Sequence, residues 1–132
     1  MVPTGETSAK YSPGGLVDVE YYVQAWQIAV GHKDPQVRAP NILDAIDCLA
    51  RGQHIPERHA AELRDVYGFL RRLIDALRAV RGHAKDLTIP PTESQEFAYL
   101  AQRLQYASPT VLRDAITQRM GYARGLWERG VG

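Results

Sequence analysis

The sequence predicts an all-α fold, an up-and-down antiparallel bundle of about five helices. Apolar residues recur at spacings of three and four along five segments, the signature of one buried helical face. No segment sustains the period-two alternation of a strand. Each segment is bounded by glycine, proline or a capping Ser or Asn, and the short connections favour antiparallel neighbours.

The chain's 132 residues fit one domain, and 45% of them are apolar, as in globular proteins. Residues 1–10 are small and polar and read as a flexible lead-in, leaving 11–130 as the bundle. The first helix is expected to run to about Val30. It starts either at Pro13 with Ser12 as N-cap or, after a turn at Gly14-Gly15, at Leu16. Leu16, Val19, Val23, Trp26 and Val30 form its inward stripe; Glu20, Gln24 and Gln27 form its polar one. Gly31 and Asp34-Pro35 end it. Asn41 caps a short second helix with Ile42, Leu43, Ile46 and Leu49 inward, ended by Gly52. Ile55-Pro56 opens the longest helix, Glu57 to Arg81, roughly 37 Å at 1.5 Å per residue. Its seam is Leu63, Val66, Leu70, Leu73, Leu77 and Val80, widened by Tyr67 and Ile74. A loop from Gly82 to Pro91 leads to a fourth helix, capped by Thr92 or Ser94 and running to about Tyr106, with Leu100, Ala101 and Leu104 inward. Ser108-Pro109 opens the fifth, to about Glu128, with Leu112, Ile116, Met120, Ala123 and Trp127 inward. Gly130 and Gly132 read as fraying.

Several function classes are disfavoured at once. Sixteen basic against fifteen acidic residues, a net charge of +1, argue against a nucleic-acid footprint. No apolar run reaches membrane-spanning length, and there is no signal-peptide pattern. The lone Cys48 permits no internal disulfide, which suits a cytoplasmic location. Flanked by Asp44 and Asp47, it reads as a buried structural thiol, because adjacent acids oppose thiolate formation. His54 and His59 lack the i, i+4 spacing of a helical metal pair, so these two, with His32 and His83, read as solvent-exposed polar residues. Arg71, Arg72, Arg78 and Arg81 accompany Asp75 on the third helix. Arg71 and Asp75 form an i, i+4 pair, and the row reads as a salt-bridged solvated face. The sharper alternative makes Arg71 and Arg72 a basic surface facing phosphate or acid on another domain. Asp18, in the first turn of its helix, is favoured by the helix dipole.

The run Gly14-Gly15-Leu16-Val17-Asp18-Val19-Glu20-Tyr21-Tyr22-Val23-Gln24 resembles the GG-L-x-D-[IV]-E-[FY]-x-x-Q segment of the glutamine synthetase adenylyltransferase and PII-uridylyltransferase family. Phe69-Leu70-Arg71-Arg72-Leu73, Thr88-Ile89-Pro90, Leu100-Ala101-Gln102-Arg103-Leu104 and Ala123-Arg124 through Trp127 are similar to further segments of that family, in the same order. Departures are Ile74-Asp75 in place of Glu-Asn, and Gln105 in place of a common glycine. In that family a helical region follows a nucleotidyltransferase domain whose Gly-Ser motif and Asp-x-Asp pair hold Mg²⁺ and the nucleotide.

This chain contains neither Gly-Ser nor Asp-x-Asp. The resemblance therefore implies a helical accessory domain beside the nucleotide cleft, not catalytic by itself and binding no cofactor of its own. Mg²⁺ and ATP would belong to the parent enzyme. The implied partners are the nucleotidyltransferase catalytic domain, glutamine synthetase and the PII signalling protein. Asp18, Glu20 and Gln24 are the candidates to face the cleft or a partner, with Asp18 alternatively holding the helix start. The alternative function is a stand-alone protein–protein interaction domain in nitrogen regulation.

Overall fold

The longest apolar stripe becomes the axis of the molecule. In the computed structural model, which describes residues 7–82 and 86–129, the helices are α1 (Leu16–Val30), α2 (Ile42–Arg51), α3 (Glu57–Arg81), α4 (Gln95–Arg103) and α5 (Pro109–Arg129), with a 3₁₀ turn at Pro35–Val37. Nine residues of α3 are buried, from Ala60 to Leu77. They cover more than half its circumference, because α1, α2, α4 and α5 all pack on it. The fold is an all-α bundle with one continuous core. α3 and α5 run antiparallel: Tyr122 reaches His59 and Glu62, whereas Arg119 reaches Asp65 and Phe69 further along α3. His83, residues 1–6, Gly130 and Gly132 lie outside the described residues.

Helix ends follow the capping chemistry. Asn41 accepts from the Asp44 N–H at 3.2 Å, and Ser94, not Thr92, accepts from the Phe97 N–H at 3.1 Å. Gly82 closes α3 at φ 67°. α4 stops at Arg103, short of Tyr106, because Gln105 turns into the left-handed region at φ 65°. That is the position where the resembling family often has glycine, and the conformation accounts for that preference.

The start of α1 shows how residues 7–15 are used. The helix begins at Leu16, with no side-chain cap. The Leu16 and Val17 N–H groups instead donate to the carbonyls of Ala9 and Lys10, each at 3.0 Å. Thr7 to Lys10 are therefore part of the fold: Ala9 is fully buried, and the Ala9 N–H to Leu87 carbonyl and Ile89 N–H to Thr7 carbonyl bonds pair this stretch with the loop before α4. Ser12 serves this turn, accepting from the Ser8 N–H at 2.7 Å. Gly14 sits at φ 85°, and a Cβ there would meet the Met120 carbonyl and lie 2.9 Å from Arg124 Cγ. At Gly15 a Cβ would lie within 3 Å of the Ala9 and Lys10 carbonyls. The two glycines bring backbone against α5 and against the preceding turn.

Several inward assignments change because a helix in a multi-sided bundle is judged by its neighbours. Leu43 and Trp127 are exposed, and Ala45 and Leu126 take the buried places. Phe97 is buried on α4 while Leu104 is only partly so. On α1, Tyr22 is buried, and Trp26 and Val30 are half-buried. Gln27 is not a solvated residue: its amide nitrogen donates to the carbonyls of Val37 and Ala39, both at 2.7 Å. It pins the α1–α2 connection to α1.

Leu70 lies mid-axis at 0% exposure. Leu70→Ala is expected to cost about 2–5 kcal/mol by transfer and cavity terms; a denaturant-melt difference below ~0.5 kcal/mol would contradict this packing. Gly14→Ala is expected to destabilise by about 1–3 kcal/mol, from positive-φ strain plus the clash with α5. An unchanged urea midpoint would show that residues 7–15 do not dock as described.

Candidate functional site

α1 packs against α2, α3 and α5, and among the described residues its remaining face is largely uncovered. Val17, Tyr21, Gln24 and Ile28 follow one another at spacings of three and four and line the outward face. Tyr21 is 59% and Ile28 81% exposed. Gln24 is the only polar side chain among these four. A helix apolar on its inner and outer faces alike is one that expects cover on both. Beside the C-terminal half of this face runs a groove of about 650 Å³, lined by Gln24, Gln27, Ile28, His32, Arg38 and Ile42 among others.

The sequence candidates fall at different places. Asp18 is half-buried, and its Oδ2 accepts from the Gly14 N–H at 2.7 Å. It therefore holds the helix start, the second of its two expected roles. Glu20 is half-buried at the flank of the outward face, and Gln24 is exposed with no hydrogen-bond partner among the described residues. Glu20 and Arg71 come together around Tyr67. Burial raises the Tyr67 hydroxyl pKa first, the Glu20 carboxylate raises it further, and the Arg71 guanidinium opposes them. Arg72 turns to the other side of α3, where it lines a recess with Arg103, Gln105 and Tyr106. Arg71 forms no ion pair with Asp75, so the expected i, i+4 bridge is absent; both side chains are solvated.

Local sequence did not single out a polar centre joining α1, α3 and α5. His59 is not a solvent-exposed residue: its side chain is 12% exposed. His54 is likewise half-buried, 3.0 Å from Asp34. Arg129 Nη1 lies 3.2 Å from His59 Nδ1 and can only donate, so Nδ1 accepts and the proton is assigned to Nε2. Nε2 then donates to the Tyr22 oxygen at 2.9 Å, while the Tyr122 oxygen lies 3.0 Å from Nδ1 and its hydroxyl donates to Glu62 at 3.4 Å. Trp127 packs edge-on against Tyr22, and Arg129 covers the Tyr122 ring. Burial, then the Arg129 charge, lowers the His59 pKa, against a smaller opposing effect of Glu62. Burial first, then the Glu62 carboxylate, raises that of Tyr122. These partners lie on three helices, and only folding brings them together.

Cys48 is half-buried rather than buried, and Arg51 donates to its sulfur at 3.1 Å. Among the described residues no three His, Cys, Asp or Glu side chains are grouped to hold a metal ion. No helix is long and apolar enough to cross a membrane.

The lowered His59 pKa has a definite sign in stability. The unfolded chain takes up the proton first, near the ordinary 6.5. The contribution of neutral His59 is therefore complete above that pH and is lost as pH falls through it toward the folded value. The urea midpoint should drop between about pH 7.5 and about pH 5.5 more steeply in the wild type than in His59→Gln. Equal slopes would remove His59 as the cause.

Comparison with known proteins agrees with this architecture. Residues 4–120 match the family model described as GlnD PII-uridylyltransferase. The chain is 35% identical over 111 residues to the bifunctional glutamine synthetase adenylyltransferase/adenylyl-removing enzyme of Stenotrophomonas maltophilia (strain K279a). That alignment covers 83% of this chain and only 12% of the relative, so the chain corresponds to a small part of that enzyme's length. With the family's motif segments placed on α1, α3, α4 and α5 of one helical bundle, the chain belongs to the GlnD PII-uridylyltransferase family.

Proposed function

We propose that this chain is the helical accessory domain of an adenylyltransferase-type nucleotidyltransferase and docks on the catalytic domain through the outward face of α1. The observation that carries the reading is that face itself: Tyr21 and Ile28 stand exposed, with Val17 half-buried, around a single amide. An exposed apolar strip with polar flanks marks a surface made to be covered. The relative's remaining length supplies material to cover it, since the aligned part is 12% of that enzyme.

In this reading the catalytic domain brings the Gly-Ser and Asp-x-Asp groups, Mg²⁺ and ATP. This domain brings shape and a few polar contacts. Gln24, with a free amide in the middle of the apolar strip, would set register against the partner domain, because an unmatched amide is costly once water is excluded. Glu20 and Arg71, at the flank around Tyr67, would form the charged rim. Asp18 acts indirectly by holding the Gly14 turn, so Asp18→Asn would lower stability as well as activity. The parent reaction would be adenylyl transfer to glutamine synthetase or its reversal, with PII signalling protein as a further partner of the intact enzyme.

Ile28→Asp tests the docking. Ile28 is 81% exposed, so in the isolated chain the substitution should shift stability by no more than about 0.5 kcal/mol. In the full-length parent it should lower adenylyl transfer to glutamine synthetase at least tenfold, as expected for a charge placed in an apolar interface (about 1.4 kcal/mol or more). Undiminished transfer, or loss of folding in the isolated chain, would defeat the proposal.

A further inference from the structure

We infer that the recess between α3 and the end of α4 is a binding site for a phosphate group, separate from the α1 face. The recess is about 340 Å³ and is lined by Phe69, Arg72, Arg103, Leu104, Gln105 and Tyr106. That volume falls in the range of small-ligand pockets. Its two charged groups are both guanidiniums, and they arrive from different helices.

Neither arginine is otherwise engaged. Among the described residues, Arg64, Arg81, Arg113, Arg119 and Arg129 each lie within 4 Å of a carboxylate, whereas Arg72 and Arg103, like six other arginines, do not. Arg119, which covers the Phe69 ring at 4.9 Å, is already tied to Asp65 at 3.3 Å. The dipole of α4 explains a cation in its last turn, and so explains Arg103. It does not explain Arg72. A cation from α3 at this place could cap α4 by bonding its last carbonyls, yet Arg72 makes no such bond. Those ends are served by backbone instead, with the Leu104, Gln105 and Tyr106 N–H groups donating to Leu100, Gln102 and Ala101. An oxyanion in the recess would meet guanidiniums from two helices. Guanidinium forks match phosphate oxygens in geometry and in charge.

Gly68 supplies a second observation. It lies inside α3 without a positive φ, where glycine costs roughly 1 kcal/mol relative to alanine. The only neighbour within 4 Å of a Cβ built there would be Arg72 Nη1, at 3.3 Å. Glycine at this position lets the Arg72 guanidinium lie along the helix beside the recess.

The inference stands on this chain alone and survives or fails apart from the docking proposal. The test is titration of the ¹⁵N-labelled 132-residue chain with inorganic phosphate, pyrophosphate and ATP, following the arginine Nε–H signals against chloride of equal ionic strength. Saturable shifts at Arg72 and Arg103 are expected. Arg72→Gln and Arg103→Gln should each weaken binding at least about tenfold, the loss of a charge-assisted contact. Gly68→Ala should weaken binding while the chain stays folded. Arg78→Gln, an equal charge change at an exposed site about 9 Å along the same helix, should weaken binding clearly less than either recess variant, because salt partly screens a charge at that distance. ATP binding no tighter than pyrophosphate assigns the site to phosphate alone; tighter ATP binding assigns it to a nucleotide phosphate. Unsaturable shifts, or an Arg78→Gln effect as large as that of Arg72→Gln, would overturn the site and leave only diffuse attraction to a basic surface.

Discussion

Every part of this molecule is referred to α3. A 25-residue helix on its own is marginal in water, and its stability comes from what packs on it. Here four helices do, and the price is that more than half of the circumference of α3 must be apolar. That leaves a narrow strip for charge. Arg64 in this strip ties Asp47 of α2 to Glu57, and Arg81 at the far end ties Glu96 of α4. Charged-group contacts at the surface contribute little each. They mark where the neighbouring helices stop rather than hold the fold together.

The connection between α1 and the rest is made by backbone as much as by side chains. Leu16 and Val17 donate to the carbonyls of Ala9 and Lys10, so the helix end that would otherwise offer free N–H groups to an anion is already filled. The Gly14-Gly15 pair is explained by its approach to α5 and the preceding turn, with Asp18 bonding the Gly14 N–H. The segment thus acts as structural glue.

The outward face of α1 and the Arg72–Arg103 recess lie on different sides of α3 and differ in kind. The first is a largely apolar strip with Gln24 in its middle; the second is a small recess lined by two guanidiniums. Between them the His59 centre fixes how α1 and α5 sit on α3. Its neutral imidazole is held by Tyr22, Tyr122 and Arg129.

The existence of each helix, and most helix limits, were legible in the sequence because they depend on neighbours three and four residues away. The α3 limits, the Asn41 cap and the start at Pro109 all follow from local spacing and capping chemistry. The family was legible for a related reason: its motif segments are contiguous runs on single helices. Which flank of a helix is covered was not. Leu43 and Trp127 turned outward, while Tyr22 and Phe97 turned inward, because burial is set by helices distant in sequence. The same limit hid the His59 centre, the approach of Glu20 and Arg71 to Tyr67, and the placing of Arg72 and Arg103 along one recess. Local periodicity fixes a helix and its apolar stripe; only the packing of several helices decides what each remaining side chain meets.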